Sequence, residues 1–274
     1  MANVSESVRG DVAHGGHDVH AHDHPDFLQH HFDTPQQQFD ASKLGMWVFI
    51  ATEILMFGGL FCAYAIWRSL EPQVFDDAHH FLNKILGATN TVVLLFSSLT
   101  AALAVRSAQV GKRNATSAYL IVTILCACVF LVVKYFEYSH KFHLGLLPGH
   151  CFGHPGLSAS IQNGEEVGTC LRVHGDASPV TPEWVKAADE SGRVRLLSPR
   201  ANMFFGLYFV MTGLHGLHVL VGMSILVWVL IKNMRGTFSP RYFTPVDLGA
   251  LYWHLVDLVW IYLFPLLYLV GKPE

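Results

Sequence analysis

Residues 204–231 read FFGLYFVMTGLHGLHVLVGMSILVWVLI, a run of 28 residues with no Asp, Glu, Lys or Arg. As a helix rising about 1.5 Å per residue it would be roughly 42 Å long, more than the ~30 Å needed to cross a bilayer. Inside lipid the backbone amides must bond within the segment, which leaves helix as the only open-ended solution. Four more runs meet the same test, at 44–67, 85–108, 116–138 and 248–270. No segment shows the ten-residue alternation of an outer-membrane barrel strand. The expected fold is an all-α membrane protein of five transmembrane helices.

Composition agrees. Of 274 residues, 51% are hydrophobic and only 14% are charged, against about 25% in a soluble domain. Mean hydropathy is +0.34. A net charge of −3 points neither to nucleic acid nor to a polybasic membrane-surface mode. Residues 1–42 form a His-rich polar stretch, expected as a disordered cytoplasmic tail. It lacks the apolar core of a signal peptide, so the first helix is expected to direct its own insertion. Its His14, His17, His20, His22, His24, His30 and His31 match the spacing of no defined metal site. The membrane domain is expected over 43–271, interrupted at 139–202 by an insertion rich in Gly, Pro, Ser and charge.

Short-loop cations set the orientation. Arg106, Lys112 and Arg113 follow the second helix, and Lys232, Arg235 and Arg241 follow the fourth. The loop after the first helix carries only Arg68 and Lys84, and the tail after the fifth only Lys272. This places the N-terminus inside, the C-terminus outside and the long insertion outside. Cys151 and Cys170 are the only cysteines of that insertion. On the oxidising side of the membrane they are expected to form a disulfide. Mass spectrometry of a non-reduced digest checks it, and two free thiols would overturn either the bond or the topology.

Ionisable groups at membrane depth are costly and therefore informative. Glu53 lies near the middle of the first helix. Two uses are open to it: a hydrogen-bonded helix-packing residue, or a carboxylate reached by protons. On the fourth helix His215 and His218 stand three apart and share a face, as do His254 and Asp257 on the fifth. Lys134 and Glu137 can pair near the end of the third helix. Asn90, Thr91, Ser97, Ser98 and Thr100 supply donors and acceptors on the second. Three His and two carboxylates could hold a metal, but the paired Glu-x-x-His pattern of a four-helix di-iron site is missing. An interhelical polar network of Asn90, Glu137, His215, His218, His254 and Asp257 is the simpler expectation.

Five ordered segments carry a family resemblance. LGMWVFIATEILMFGGLFCAY (44–64), ATNTVVLLFSS (88–98), KYFEY (134–138), GLYFVMTGLHGLHVLVG (206–222) and ALYWHLVDLVWIYLF (250–264) resemble subunit III of haem-copper terminal oxidases, both cytochrome c and quinol types. The five helices match its five-helix form; longer members have two more at the start. The resemblance implies an accessory subunit of a proton-pumping oxidase, in a bacterial cytoplasmic membrane. It would pack against subunit I, with subunit II in the same complex and a respiratory supercomplex as a further partner. It also implies that Glu53 matches the family's carbodiimide-reactive carboxylate. Lys232 and Arg235 match positions that hold phospholipid headgroups. No catalytic or metal-binding residue is implied for this chain, since haem and copper belong to the partner subunits. The competing readings are a quinol oxidase subunit, a nitric oxide reductase accessory subunit and a stand-alone membrane metalloprotein using the His and Asp of the last two helices.

Overall fold

The computed structural model describes residues 28–29, 32–143, 146, 185–188, 194–197 and 200–269. The seven His of the N-terminal stretch, Cys151 and Cys170 lie outside the described residues, as does most of the 139–202 insertion. Among the described residues, five helices are long and apolar enough to cross a membrane.

Helix α1 spans Pro35–Leu70. It begins inside the stretch expected to be a polar tail. Thr34 sits in extended backbone and its hydroxyl accepts from the Gln37 amide at 3.2 Å, with Pro35 in the first turn. That cap starts a helix whose first two turns are polar, which an apolar-length criterion cannot see. The connection that follows is folded rather than plain loop. Helix α2 (Pro72–Ala78) and a 3-10 turn (His79–Phe81) bury Val74, Phe75, Ala78 and Phe81. Phe75 makes edge-to-face contacts with Tyr64 and Phe204, each at 5.2 Å between ring centres. His79 is buried beside His80. Desolvation, the largest effect on it, lowers its pKa, so the ring is neutral at pH 7 and needs no buried counter-ion.

Helix α3 (Lys84–Gln109) is capped by the Asn83 side chain, which accepts from the Ile85 and Leu86 amides. Gly111, at φ +76°, turns the chain tightly into α4 (Arg113–His143). A two-stranded antiparallel hairpin, β1 (Val185–Ala188) with β2 (Val194–Leu197), lies between α4 and the next long helix in sequence and pairs Val185 with Leu197. Helix α5 (Ala201–Met234) ends at Gly236, φ +80°. Helix α6 (Thr244–Phe264) runs on through a π-helical turn, Pro265–Leu269.

Helix α6 is the centre of the bundle and α1 is its periphery: 56% of the apolar window of the last span is buried, against 11% for the first. α6 packs on α1, α3 and α5, and α4 packs on α3 and α5. Lipid supplies no hydrophobic drive between helices, so close packing and interhelical hydrogen bonds must hold them. Both appear. The Trp253 indole donates to Ser97 Oγ at 2.8 Å and the Trp260 indole to Thr91 Oγ1 at 3.1 Å. Thr100 and Thr123 join α3 to α4 at 2.8 Å. At the start of α4, Arg113 Nε donates to the Asn233 carbonyl at 2.7 Å, while the Asn233 amide donates to the Arg113 carbonyl and to Ser117 Oγ.

Gly222 sets the approach of α5 to α6. A Cβ there would lie 3.0 Å from both the Trp253 and Tyr252 rings. Gly222→Leu should therefore separate the two helices and cost about 1–3 kcal/mol, the usual range for overpacking a filled interface. Reversible unfolding in mixed micelles reads it; a change within error would show that the contact yields freely.

Candidate functional site

Three polar centres lie along α5, each built with a different neighbour. The first surrounds Glu137, one of the deepest ionisable groups, with its side chain only 2% exposed. Its Oε2 accepts from Lys134 Nζ at 2.8 Å. Its Oε1 accepts from Lys141 Nζ at 3.0 Å, Tyr208 OH at 3.0 Å and Tyr268 OH at 2.5 Å. Lys134 also donates to Tyr268 OH at 2.9 Å and lies 4.6 Å from the centre of the Trp260 ring. Beside it Tyr138 OH and Thr212 Oγ1 stand 2.5 Å apart. The cluster ties α4, α5 and the final π-helical turn through one carboxylate. The Lys134–Glu137 pair is legible from its three-residue spacing. Lys141 lies four residues past Glu137 on the same face, so the helical period could have found it. Tyr208 and Tyr268 come from distant elements, and no local pattern announces them.

The second centre is His215, whose ring meets Phe130 edge-on at 5.5 Å and Trp260 at 5.4 Å. Neither ring nitrogen has a hydrogen-bond partner among the described residues, and the same holds for the side chain of Asn90, while the Asp257 carboxyl meets the Ser98 hydroxyl of α3. All three are buried. The interhelical hydrogen bonds expected of Asn90 and His215 are thus not formed within the described structure, whereas Asp257 pairs with Ser98 of α3. For His215 the reason is that aromatic packing occupies the space a partner would need. His254 differs, with Nε2 at 3.1 Å from the Ser98 carbonyl.

The third centre joins Glu53 to His218. Glu53 Oε2 and His218 Nε2 are 3.0 Å apart, and His218 Nδ1 is 2.8 Å from the Leu214 carbonyl. A carbonyl can only accept, so Nδ1 carries a hydrogen. One further proton must then lie between Nε2 and Oε2. It rests on the imidazole as an ion pair or on the carboxyl as a neutral pair. Either way the two side chains together carry no net charge, which is what membrane depth demands. Phe57 packs edge-on against the His218 ring at 5.2 Å.

This pair opens on a groove of about 650 Å³ between α1, α5 and α6, walled by Met46, Phe49, Leu217, Val221, Trp228 and Tyr252. The C-terminal end of α5 carries the two cations singled out in the sequence. Lys232 Nζ lies over the Trp228 ring at 4.4 Å, and Arg235 caps the helix. Among the described residues no group of three His, Cys, Asp or Glu side chains is placed to hold a metal ion. Cys62, Cys126 and Cys128 are free thiols.

A family model described as cytochrome c oxidase subunit III matches residues 26–145 and 199–272. The unmatched interval falls on the insertion between α4 and α5. Among curated proteins, cytochrome c oxidase subunit 3 of Thermostichus vulcanus is 28% identical over 258 residues, covering 92% of each chain. Quinol oxidase subunit 3 of Bacillus spizizenii is 24% identical, over 83% of this chain and 87% of that one. The heme-copper oxidase subunit I+III of Aeropyrum pernix is 26% identical over 92% of this chain, which corresponds to 25% of that longer protein. With all five spans inside the matched segments, this multi-pass membrane protein belongs to the cytochrome c oxidase subunit III family.

Proposed function

We propose that the chain is the non-redox accessory subunit of a proton-pumping haem-copper oxidase of the cytochrome c type, seated against subunit I in a bacterial cytoplasmic membrane. The observation that carries this reading is how the three histidines of the last two spans are used. His218 is bonded to Glu53 and a backbone carbonyl, His254 contacts a backbone carbonyl, and His215 is packed between aromatic rings. These are packing and proton-holding roles, and haem and copper fit the partner subunits instead. That the Aeropyrum pernix relative is named as subunit I+III supports direct contact with subunit I. The N-terminus faces the cytoplasm, the C-terminus and the insertion face outward, and Lys232 and Arg235 hold anionic phospholipid headgroups at the inner surface. Relatives carry both cytochrome c and quinol oxidase names, so the electron donor is a property of the other subunits.

Purification from the native membrane in mild detergent tests this. Haem-copper subunits I and II should accompany the chain; its isolation alone would end the proposal. Within that complex Glu53→Gln should leave haem content unchanged and lower sustained turnover or proton pumping by about twofold, less than the 10²–10⁴-fold effect of losing a catalytic acid or base. Oxygen consumption and pH-electrode traces on the same proteoliposomes read both. Abolished oxygen reduction with normal assembly would make Glu53 catalytic rather than supporting.

A further inference from the structure

We infer that the groove at the Lys84 end of α3 holds one anionic phospholipid, with its phosphate on the Lys84 ammonium and an acyl chain lying between α3 and the π-helical turn. The site lies away from Glu53 and at the opposite membrane face from Lys232 and Arg235, since Lys84 opens α3 and the other two close α5. Which leaflet it faces rests on the orientation proposed above; the site itself does not.

Lys84 is exposed, and the apolar run 85–108 begins directly after it. The ion pairs among the described residues join other groups, so none of them engages this ammonium. Beside it a groove of about 560 Å³ is walled by Ile85, Ala88, Val92 and Val93 of α3 and by Phe264 and Leu269. Two features shape that groove. Gly87 lets α6 close on α3, because a Cβ there would lie 2.8 Å from the Phe264 ring. Past Phe264 the helix widens into the π-helical turn Pro265–Leu269, a departure from α geometry that often marks functional sites. Thr89 also lines the groove, but its hydroxyl donates to the Ile85 carbonyl at 2.9 Å. The surface below Lys84 is therefore suited to hydrocarbon. From Lys84 to Val93 the helix rises roughly 13.5 Å, close to the ~15 Å of hydrocarbon in one leaflet. The occupant must thus carry an anion at the interface and an apolar chain through the leaflet beneath it. A free inorganic anion lacks the chain, and an uncharged lipid lacks the anion. Phosphatidylcholine offsets its phosphate with its own cation. An anionic phospholipid supplies both parts in the right order along the membrane normal.

The test uses the protein as purified from its native membrane, with the subunits that accompany it, in phosphatidylcholine nanodiscs. The probe is phosphatidylglycerol carrying a photoreactive diazirine on one acyl chain. It is present in both leaflets, so a reversed orientation would not mask the site. Adducts are mapped by peptide mass spectrometry. Residues 85–93 and 264–269 should be labelled about fivefold more by this probe than by the phosphatidylcholine analogue, the factor that one lysine adds near an anionic headgroup. Lys84→Gln should erase that preference, and Lys84→Arg should keep it. Val92→Trp, which fills the groove and leaves Lys84 in place, should lower labelling of 264–269 by both probes. Equal labelling by the two probes, or a preference that survives Lys84→Gln, would make the occupant ordinary bulk lipid and overturn the proposal. Displacement by oleate as effective as that by unlabelled phosphatidylglycerol would show that a fatty-acid anion suffices, and would overturn it as well.

Discussion

Replacing Glu137 with alanine should destabilise the chain by about 3–5 kcal/mol, the range seen when one member of a buried ion cluster is removed. The magnitude follows from what is left behind. Lys134 and Lys141 are both buried, Lys141 completely, and among the described residues Glu137 is the only carboxylate bonded to either. Its loss strands two ammonium groups in a low-dielectric interior. It also removes the acceptor for the Tyr208 and Tyr268 hydroxyls. Unfolding in mixed micelles with rising SDS content measures the loss, as does the fraction of subunit retained in the purified complex. The combined variant Lys134→Met, Glu137→Leu, Lys141→Met should recover about half or more of it, because an apolar replacement leaves no stranded charge. Equal damage in the single and combined variants would show that the carboxylate serves shape rather than charge.

Trp260→Ala should cost a comparable amount, about 3–5 kcal/mol, the usual range for emptying a fully buried aromatic site. Trp260 is completely buried and touches four elements. Its ring meets Phe130 of α4 at 5.0 Å, His215 of α5 at 5.4 Å and Tyr268 of the π-helical turn at 6.4 Å. It also lies under the Lys134 ammonium, and its indole nitrogen holds Thr91 on α3. Lipid cannot refill such an interior void, so the lost dispersion contacts are not replaced. Trp260→Phe should recover more than half of the loss in the same unfolding assay, retaining the ring contacts while giving up the Thr91 hydrogen bond. A loss below about 1 kcal/mol for the alanine variant would mean that the neighbouring helices close over the site.

The five spans were legible because apolar length is a property of contiguous residues such as 204–231. The start of α1 at Pro35 was not, because a Thr34 cap can extend a helix through polar residues such as Gln36 and Asp40. The fold of α2 was hidden for a related reason: seven residues are too few for a length criterion, and only the burial of Phe75 between Tyr64 and Phe204 shows its purpose. At the sites, period-three and period-four neighbours could be read, as with Lys134 and Glu137. Partners on separate helices could not. Nothing local to Glu53 says that His218, far along the chain, stands 3.0 Å from it. Similarly, the shared face of His215 and His218 was visible, but not that one is aromatic packing and the other a carboxylate partner.

As proposed, this chain supports an oxidase without carrying a redox centre. This is tested most directly by separating the chain gently from the purified complex and quantifying haem, copper and iron in both fractions. All three should remain with the other subunits, whose initial oxygen reduction survives while turnover lifetime falls. Metal or haem stoichiometric with this chain would contradict it.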